Sequence, residues 1–263
     1  GSSGRVFPES FRANRLLEAW VARLTDMGVD LRTGQRWTGW HDDGTLELRS
    51  ADGVVTVRPD ATVLALGGAS WPSTGSDGSW RQLVGAAGVE VTPLRPANSG
   101  VDVDWTPVFV DRFAGEPIKN VAVRCGEERT RGELMVTEHG LEGGAVYALS
   151  RPLHDDIDRS GGAVLRVDLC PDLEPDAVRQ RIARRRAKDS RSTVLRRQLG
   201  LAPAAVGLLR DATANQLPAD DDALGALVKD VPVRVTGSAP LDRAISTACG
   251  ISFDEVDEHF MLR

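Results

Sequence analysis

Cysteine is scarce in this sequence, and its arrangement excludes two classes of stabilised small domain. Cys125, Cys170 and Cys249 are far apart, and none belongs to a CxxC pair. An odd, sparse set argues against a disulfide framework and against a structural zinc site. The four histidines also lack metal-ligand spacing from one another or from a carboxylate. We therefore expect no metal site and a reducing, cytoplasmic location.

Long apolar runs and a general excess of positive charge are missing too. No apolar run approaches the about 18 residues that span a bilayer. The net charge of -6 gives no overall attraction to nucleic acid or to an anionic membrane. The dense basic run from Arg179 to Arg197 could contact nucleic acid or an acidic partner. It has no interleaved aromatic residues, so we interpret it as a solvated helix face and expect no nucleic-acid or membrane partner.

Several sequence signatures of catalysis are absent. The chain has no GxGxxG between a first strand and helix, no GxxxxGK[ST] phosphate loop and no GxSxG nucleophile elbow. His139 lies in the predicted loop Thr137-Glu138-His139-Gly140, where it could donate a proton or be an ordinary surface histidine. The residues alone therefore assign no catalytic group.

Apolar spacing near the start of the chain predicts a helix followed by an antiparallel meander. Apolar residues from Leu16 to Met27 recur at helical spacing, and Gly28 follows as a stop signal. Three short alternating stretches come next, separated by Asp43-Gly44 and Asp52-Gly53, which are hairpin signals. These stretches are Arg36–Trp40, Thr45–Leu48 and Val54–Val57.

The run from Ala61 to Leu66 is the strongest candidate for a ligand-binding strand. It is continuously apolar, as expected of a strand buried on both faces, and it ends at Gly67-Gly68. Paired glycines let the backbone approach a ligand closely, and ligands bind at the carboxyl ends of strands in open α/β sheets. The stretch Thr74–Gly78 offers backbone N–H groups before a predicted helix over 79–87, a plausible anion site. An ordinary strand-loop-helix turn would have the same spacing.

The remainder of the chain is irregular from Val89 and then alternates strands and helices. Short strands are predicted at 121–124, 133–136 and 164–167, followed by a helical stretch from Pro175 to about Thr213. A short helix after Asp220 and a strand at Val231–Val235 complete an α/β pattern.

Taken together and in order, a series of motifs resembles the BaiN/HI0933-like family of flavoprotein oxidoreductases, which use FAD and NAD(P). The resemblance covers Gly4 to Arg263, and the forms Leu66–Trp71 and Asp257–Arg263 are similar to a bacterial subgroup. The motifs are Gly4–Pro8, Ala65–Pro72, Gly75–Gly78, Pro93–Ala97, Phe113–Gly115, Ile118–Val121, Arg131–Thr137, Gly140–Gly143, Pro240–Ile245 and Thr247–Ile251.

The resemblance implies an α/β architecture in two parts. Residues 1–96 and 240–263 correspond to part of a three-layer FAD/NAD(P)-binding domain, and residues 97–239 correspond to an inserted α+β domain, partly β-barrel and partly helical. The family's amino-terminal GxGxxG segment and its carboxy-terminal flavin-binding segment are not in this sequence. We therefore expect a truncated flavin domain that binds FAD weakly or not at all alone, its missing segments supplied by another chain.

The resemblance also implies which residues contact FAD, although no catalytic residue can be transferred. Cys249 stands where the family usually has glycine, and between Ala248 and Gly250 its ordinary interpretation is a small buried thiol. The implied cofactor-binding residues are Arg5, Val6, Phe7, Ala65, Leu66, Gly67, Gly68, Ser70, Gly75, Ser76, Gly78, Thr247, Ala248, Cys249 and Gly250.

Two functional hypotheses remain open on the sequence. In the first, the chain is part of an FAD-dependent oxidoreductase that acts on an unknown small molecule, with NAD(P)H as the electron donor. In the second, it is a non-catalytic folded module, or half of a split assembly that cannot bind FAD alone.

Overall fold

The computed structural model describes residues 6–263. These residues belong to two compact units, the first ending at Leu64 and the second running from Ala65 to Arg263. Arg5, the first of the implied cofactor-binding residues, lies outside the described residues.

The first unit contains the helix and the meander that the sequence predicts. Helix α1 spans Ala13–Asp26, and Gly28 follows it with a φ of 87°, a conformation that only glycine adopts without strain. Strands β1 (Arg36–Trp40), β2 (Leu46–Ser50) and β3 (Gly53–Val57) pair antiparallel in the order β1-β2-β3. The predicted hairpin turns therefore set the register of this sheet.

The apolar stripe of α1 is not buried. No residue of this helix is buried, and Leu16, Leu17, Trp20 and Met27 are all exposed. The helix has the amphipathic pattern of one that packs on a core, but its apolar side chains remain in contact with solvent.

The predicted buried strand at 61–66 is not formed, and this prediction was wrong. Residues 61–68 have no strand hydrogen bonding, and Val63 is 88% exposed. A strand buried on both faces needs a hydrogen-bonded neighbour on each edge. Within residues 6–263, no strand pairs with this segment, so its apolar pattern has no sheet to join.

The second unit is built on an antiparallel sheet with helices packed against it. Its helices are α2 (Trp80–Ala86), α3 (Pro107–Phe113), α4 (Gly144–Tyr147), α5 (Ser150–Ser160), α6 (Pro175–Ala183), α7 (Arg191–Leu199), α8 (Pro203–Ala212) and α9 (Asp221–Lys229). Its strands are β4 (Arg95–Ala97), β5 (Val101–Asp102), β6 (Pro117–Cys125), β7 (Glu128–Val136), β8 (Gly140–Glu142), β9 (Ala163–Asp168), β10 (Val231–Val235), β11 (Gly237–Ser238) and β12 (Ser246–Ala248).

The main sheet closes on itself into a barrel. Its strand order is β10-β9-β6-β7-β8-β5-β11, and β10 and β11 are separated by Thr236 alone. This continuous segment pairs with β9 through β10 and with β5 through β11. The Thr236 N–H also donates to the Asp102 carbonyl at 2.9 Å. Closure removes the exposed strand edges that an open sheet would present.

The core of this unit lies inside the barrel and under the helices. On β9, Ala163, Leu165 and Val167 are buried while Val164 points outward, and β10 alternates in the same way. Each fully buried aliphatic side chain contributes about 1.5–3 kcal/mol of hydrophobic stabilisation. Helices α6 to α9 add Ile182, Leu195, Leu208, Leu209 and Leu224 to the same cluster.

The remaining secondary-structure predictions for this unit are confirmed with adjusted boundaries. The three predicted strands at 121–124, 133–136 and 164–167 lie within β6, β7 and β9. The predicted helical stretch from Pro175 divides into α6, α7 and α8. Ser190 caps the start of α7 by accepting from the Thr193 N–H, and α7 ends where Gly200 turns left-handed with a φ of 69°, before Pro203 starts α8. Among residues 6–263 no helix combines the length and apolarity needed to cross a bilayer.

Candidate functional site

Gly68 lies directly against Thr247, which comes from the far end of the sequence. A β carbon placed on Gly68 would lie 2.3 Å from Thr247 Oγ1 and 2.6 Å from Thr247 Cβ. The Thr247 hydroxyl also accepts a hydrogen bond from the Ala69 N–H at 2.8 Å. The second glycine of the pair is therefore required by close packing within the chain, whereas Gly67 is exposed and left-handed, with a φ of 72°.

Trp80 joins the two glycine-rich segments. Its indole Nε1 donates to the Gly67 carbonyl at 3.1 Å. A β carbon on Gly250 would lie 3.6 Å from the same indole ring, at Cη2. Sequence reasoning missed this residue, although a tryptophan at the start of α2, just after a glycine-rich loop, was an available signal.

The loop from Ser70 to Gly78 uses its backbone donors internally. The amides of Thr74 and Ser76 donate to the Trp71 carbonyl, and the Gly75 amide donates to the Pro72 carbonyl, each at 3.1 Å. The Asp77 carboxylate accepts from the Ser79 N–H at 2.9 Å, at the start of α2. These donors are engaged within the loop, and a carboxylate already occupies the end of α2 where an anion was predicted to bind.

Ser70 and Gly78, the two ends of this loop, are buried. Gly78 has a φ of 67°, and a β carbon there would lie 2.9 Å from Ala69 Cβ. Gly78 therefore meets two demands that favour glycine, a left-handed backbone and a close contact. Ser70 is 5% exposed.

Strand β12 carries the third predicted segment, Thr247 to Gly250, to the same place. It pairs antiparallel with β4, with Thr247 opposite Pro96, and the Gly250 carbonyl accepts from the Thr92 N–H at 2.8 Å. Cys249 has a φ of 69° and is exposed. The prediction of a buried thiol was wrong, because the left-handed turn after β12 leaves this side chain on the surface.

The structure thus brings together three of the four predicted segments. Residues 65–70, 75–78 and 247–250 form one glycine-rich surface, which we call the glycine wall. Val6 and Phe7, from the fourth segment, lie in the first unit and are exposed. The backbone at Gly67, Gly75 and Cys249 is exposed on this wall.

A second group of polar residues, which the sequence did not reveal, adjoins β12. Asn98, with a φ of 48°, donates from Nδ2 to Ser246 Oγ at 3.1 Å. Ser246 precedes Thr247, and side chains that follow each other on a strand point to opposite faces. Thr247 therefore contacts the glycine wall while Ser246 contacts the segment Asn98–Gly100.

Buried Ser99 lies next to the partly buried His154 in this polar group. Ser99 is 2% exposed, its N–H donates to Ser150 Oγ at 3.3 Å, and its Oγ lies 3.5 Å from His154 Nε2. Burial lowers the pKa of His154 below its ordinary value, and the nearby charge of Arg95 lowers it further. Arg95 forms a salt bridge with Asp158 at 2.5 Å. The lowered pKa keeps the imidazole neutral near neutral pH, so Nε2 can donate a hydrogen bond to the Ser99 hydroxyl or accept one from it, depending on the tautomer.

Glu142 and Tyr147 lie on the other side of the same segment. The Tyr147 hydroxyl is 3.4 Å from Glu142 Oε2, and burial, with a contribution from the Glu142 charge, raises the pKa of Tyr147. A β carbon on Gly100 would lie 2.7 Å from Glu142 Cγ, so this glycine allows Glu142 to approach the backbone. We call Ser99, Glu142, Tyr147, Ser150 and His154 the polar group.

The other titratable candidates do not form sites of this kind. Burial raises the pKa of the Cys125 and Cys170 thiols to about 11 each, so neither is an activated nucleophile at neutral pH. His139 is an exposed loop residue. In the described part of the chain, no group of three or more histidine, cysteine or acidic residues could hold a metal ion.

The basic run is a solvated face, as the sequence predicted. Its arginines lie on and between α6 and α7, and four of them form salt bridges with aspartates. The pairs are Arg179–Asp176, Arg185–Asp221, Arg191–Asp221 and Arg197–Asp189.

Comparison with known proteins gives two findings. A protein-family model described as "HI0933-like protein barrel and H2TH domain" matches residues 95–246. The 3-dehydro-bile acid delta(4,6)-reductase of Clostridium scindens is 28% identical over 180 residues. That match covers 67% of this chain and 44% of the reductase, so the chain spans less than half of the relative's length in the alignment.

Proposed function

This chain belongs to the HI0933-like family, and from that premise we propose that it forms part of an FAD-dependent oxidoreductase. The observation that carries the proposal is the meeting of Gly67-Gly68 with Thr247–Gly250 across Trp80. These segments are far apart in the sequence, and the family resemblance assigned both to the flavin site. The relative from Clostridium scindens, named as a reductase, supports redox chemistry in the same family.

We propose the domain organisation that the resemblance implies. Residues 1–96 and 240–263 would belong to a three-layer FAD-binding domain, and residues 97–239 would be inserted into it. Two observations support these boundaries. The family model covers residues 95–246, and the strands that close the barrel lie between Val101 and Ser238. Three free cysteines agree with the cytoplasmic location proposed for the protein.

The glycine wall fits the adenosine side of FAD better than its pyrophosphate. Backbone without bulky side chains is exposed at Gly67 and Gly75, which suits close contact with a flat or extended group. The amides of Ala69, Thr74, Gly75 and Ser76 already have acceptors within the chain, so they do not form a phosphate cradle. Gly67, Gly68 and Thr247–Gly250 would therefore hold the adenosine portion, and the pyrophosphate would be bound by other segments.

When FAD is bound, its flavin ring would supply the hydride chemistry, with NAD(P)H as the proposed electron donor and a small organic molecule as the substrate. The polar group would handle protons in such a reaction. The His154 imidazole is neutral near neutral pH because its pKa is lowered, so it could accept a proton, and the Tyr147 hydroxyl stays protonated because its pKa is raised. Ser246 and Thr247, adjacent on β12, would link the polar group to the glycine wall.

The competing proposal is that the chain is a folded module or half of a split assembly. Apolar side chains of α1 and the side chain of Val63 are exposed. This exposure supports the second proposal, because the proposed flavin domain is then incompletely packed. A three-layer domain would cover such side chains with further elements. Both proposals predict that this chain lacks the parts needed to hold FAD tightly.

The experiment is a titration of FAD into the purified chain, followed by flavin fluorescence and by absorbance near about 450 nm. We expect colourless protein and weak binding, because the helix amino terminus that normally meets the pyrophosphate is not among the described elements. The same titration on the protein with its family-typical flanking segments should give stoichiometric yellow protein. Tight binding by the present chain would contradict the truncated flavin site, and colourless protein from the longer form would contradict the oxidoreductase.

A further inference from the structure

A cleft that is lined by none of the residues assigned to FAD lies among α3, α7 and α8. It has a volume of about 700 Å³ and is open to solvent. That volume falls in the range of about 300–1,000 Å³ that small-molecule sites occupy. Neither the glycine wall nor the polar group contributes a residue to its lining.

One side of the cleft is apolar and rigid. Phe109, Phe113 and Val206 line it. The rings of Trp105, Phe109 and Phe113 pack in tilted pairs, with interplanar angles of 49° and 50° and centroid separations of 4.8 and 5.3 Å. Phe113 is held close to α8, because a β carbon on Gly207 would lie 2.3 Å from its ring. A flat or compact hydrocarbon group would find a preformed surface here.

The other side carries three guanidinium groups, from Arg112, Arg196 and Arg210. Arg210 is fixed by Ser192 Oγ, which accepts from Nε at 3.0 Å and from Nη2 at 2.8 Å, and by the side chain of Asn215. Arg196 donates from Nε to the Ser192 carbonyl at 3.3 Å. The Arg112 guanidinium lies 5.5 Å from the centre of the Phe113 ring, at the border between the charged and apolar sides.

These positive charges are not neutralised within the described chain. No carboxylate among residues 6–263 forms a salt bridge with any of the three arginines, and none of them has a further partner beyond those described. Asp211 is the acidic residue in the described lining, and its Oδ1 accepts from the Thr106 hydroxyl at 2.6 Å and the Thr106 N–H at 3.2 Å. Arg112 and Arg196 are exposed, so their guanidinium groups are accessible to an anion from solvent.

We propose that this cleft binds a small amphipathic organic anion. The hydrocarbon body would lie against Phe109, Phe113 and Val206, and a carboxylate, sulfonate or phosphate would be held by the arginines. Guanidinium groups match the planar geometry of such anions and bind them through charge-assisted hydrogen bonds. The site is separate from the proposed FAD contacts, so it can be tested whether or not the chain binds flavin.

The test is isothermal titration calorimetry with 2-naphthoate, compared with its uncharged analogue 2-naphthamide. We expect naphthoate to bind at least about tenfold more tightly than the amide, because the two differ only in the charged group. The double substitution Arg112→Gln and Arg196→Gln should weaken naphthoate binding by about tenfold or more and leave naphthamide unchanged. Arg184→Gln, an exposed arginine outside the cleft, serves as the matched control and should have no effect.

A second pair of variants keeps the proposal testable if the arginine variants fold poorly. Val108 lines the cleft, is 66% exposed, and lies in the first turn of α3, where an acidic residue is well tolerated. Val108→Glu should weaken naphthoate binding more than Val108→Gln does. No binding of naphthoate, equal binding of both probes, or equal affinities in the Glu and Gln variants would overturn the proposal.

Discussion

Alanine in place of Gly68 tests the contact that joins the glycine pair to β12. The added β carbon would lie 2.3 Å from Thr247 Oγ1 and 2.6 Å from Thr247 Cβ, well inside the separation of non-bonded atoms. Thr247 would have to move, and its hydrogen bond from the Ala69 N–H at 2.8 Å would be stretched or broken. The structure therefore locates the cost of this substitution within the protein itself, before any ligand is considered.

The magnitude follows from those two effects. Forcing an extra methyl group into a packed contact costs about 1–3 kcal/mol, and the lost hydrogen bond costs about 1 kcal/mol more. We expect Gly68→Ala to lower the free energy of unfolding by about 2–4 kcal/mol, measured by urea denaturation at neutral pH. Gly85→Ala is the matched control. Gly85 lies in α2 with no atom within 4 Å of its added β carbon, so alanine should stabilise by up to about 1 kcal/mol.

A double-mutant cycle separates the contact from a general loss of packing. Thr247→Gly removes both atoms that the new methyl group would meet, so Gly68→Ala should cost much less in that background. A coupling energy of more than about 1 kcal/mol is expected for residues in direct contact. The packing of Gly68 against Thr247 is refuted if Gly68→Ala is as stable as the wild type. It is also refuted if the effects of the two substitutions on the free energy of unfolding are additive.

Three further predictions follow from other parts of the molecule. The fragment 97–239, expressed alone, should unfold cooperatively in urea, because it contains the closed barrel and its helices; a gradual, non-cooperative transition would contradict the proposed boundaries. The pKa of His154 is lower in the folded protein than in the unfolded chain, so the unfolded chain binds the proton more tightly. The contribution of His154 to the free energy of unfolding is therefore complete above about pH 6.5, and it is lost as the pH falls through the folded-state pKa. Between pH 8 and pH 5 the melting temperature should therefore fall less steeply for His154→Gln than for the wild type. Identical slopes for the two proteins would contradict the lowered pKa of His154. Iodoacetamide at pH 8 should label exposed Cys249 well before Cys125 and Cys170, whose pKa values are raised to about 11. Equal labelling rates of the three cysteines, measured by mass spectrometry, would contradict the burial of Cys125 and Cys170.

Local patterns in the sequence were sufficient to predict much of the secondary structure. The Asp-Gly dipeptides defined the meander β1-β2-β3 because such turns constrain the backbone within a few residues. The segment 61–66 was mispredicted for the opposite reason. Its apolar run has the composition of a central strand, but a strand forms only when neighbours satisfy its hydrogen bonds, and composition does not reveal whether they are present.

The arrangement of the candidate site depended on contacts between distant residues, which the sequence alone does not show. The glycines could be identified because each residue type is read directly from the sequence, and glycine is the residue that lets other groups approach the backbone closely. Their partner Thr247 was assigned to the site only through the family resemblance. Trp80 and the pair Ser99–His154 were missed, because neither lies at a spacing that identifies a site. The closure of the barrel through the continuous segment β10–β11 could not be predicted from the sequence either, because it depends on the order in which distant strands pair.

The most direct test of the account is an NMR titration of FAD into the 15N-labelled chain at millimolar concentrations, where weak binding is still observable. We predict fast-exchange shifts at the amides of the glycine wall, above all Gly67, Gly68, Cys249 and Gly250, and at the Trp80 indole N–H. Shifts confined to regions outside the glycine wall, or none at any concentration, would contradict the claim that these residues form part of a flavin site.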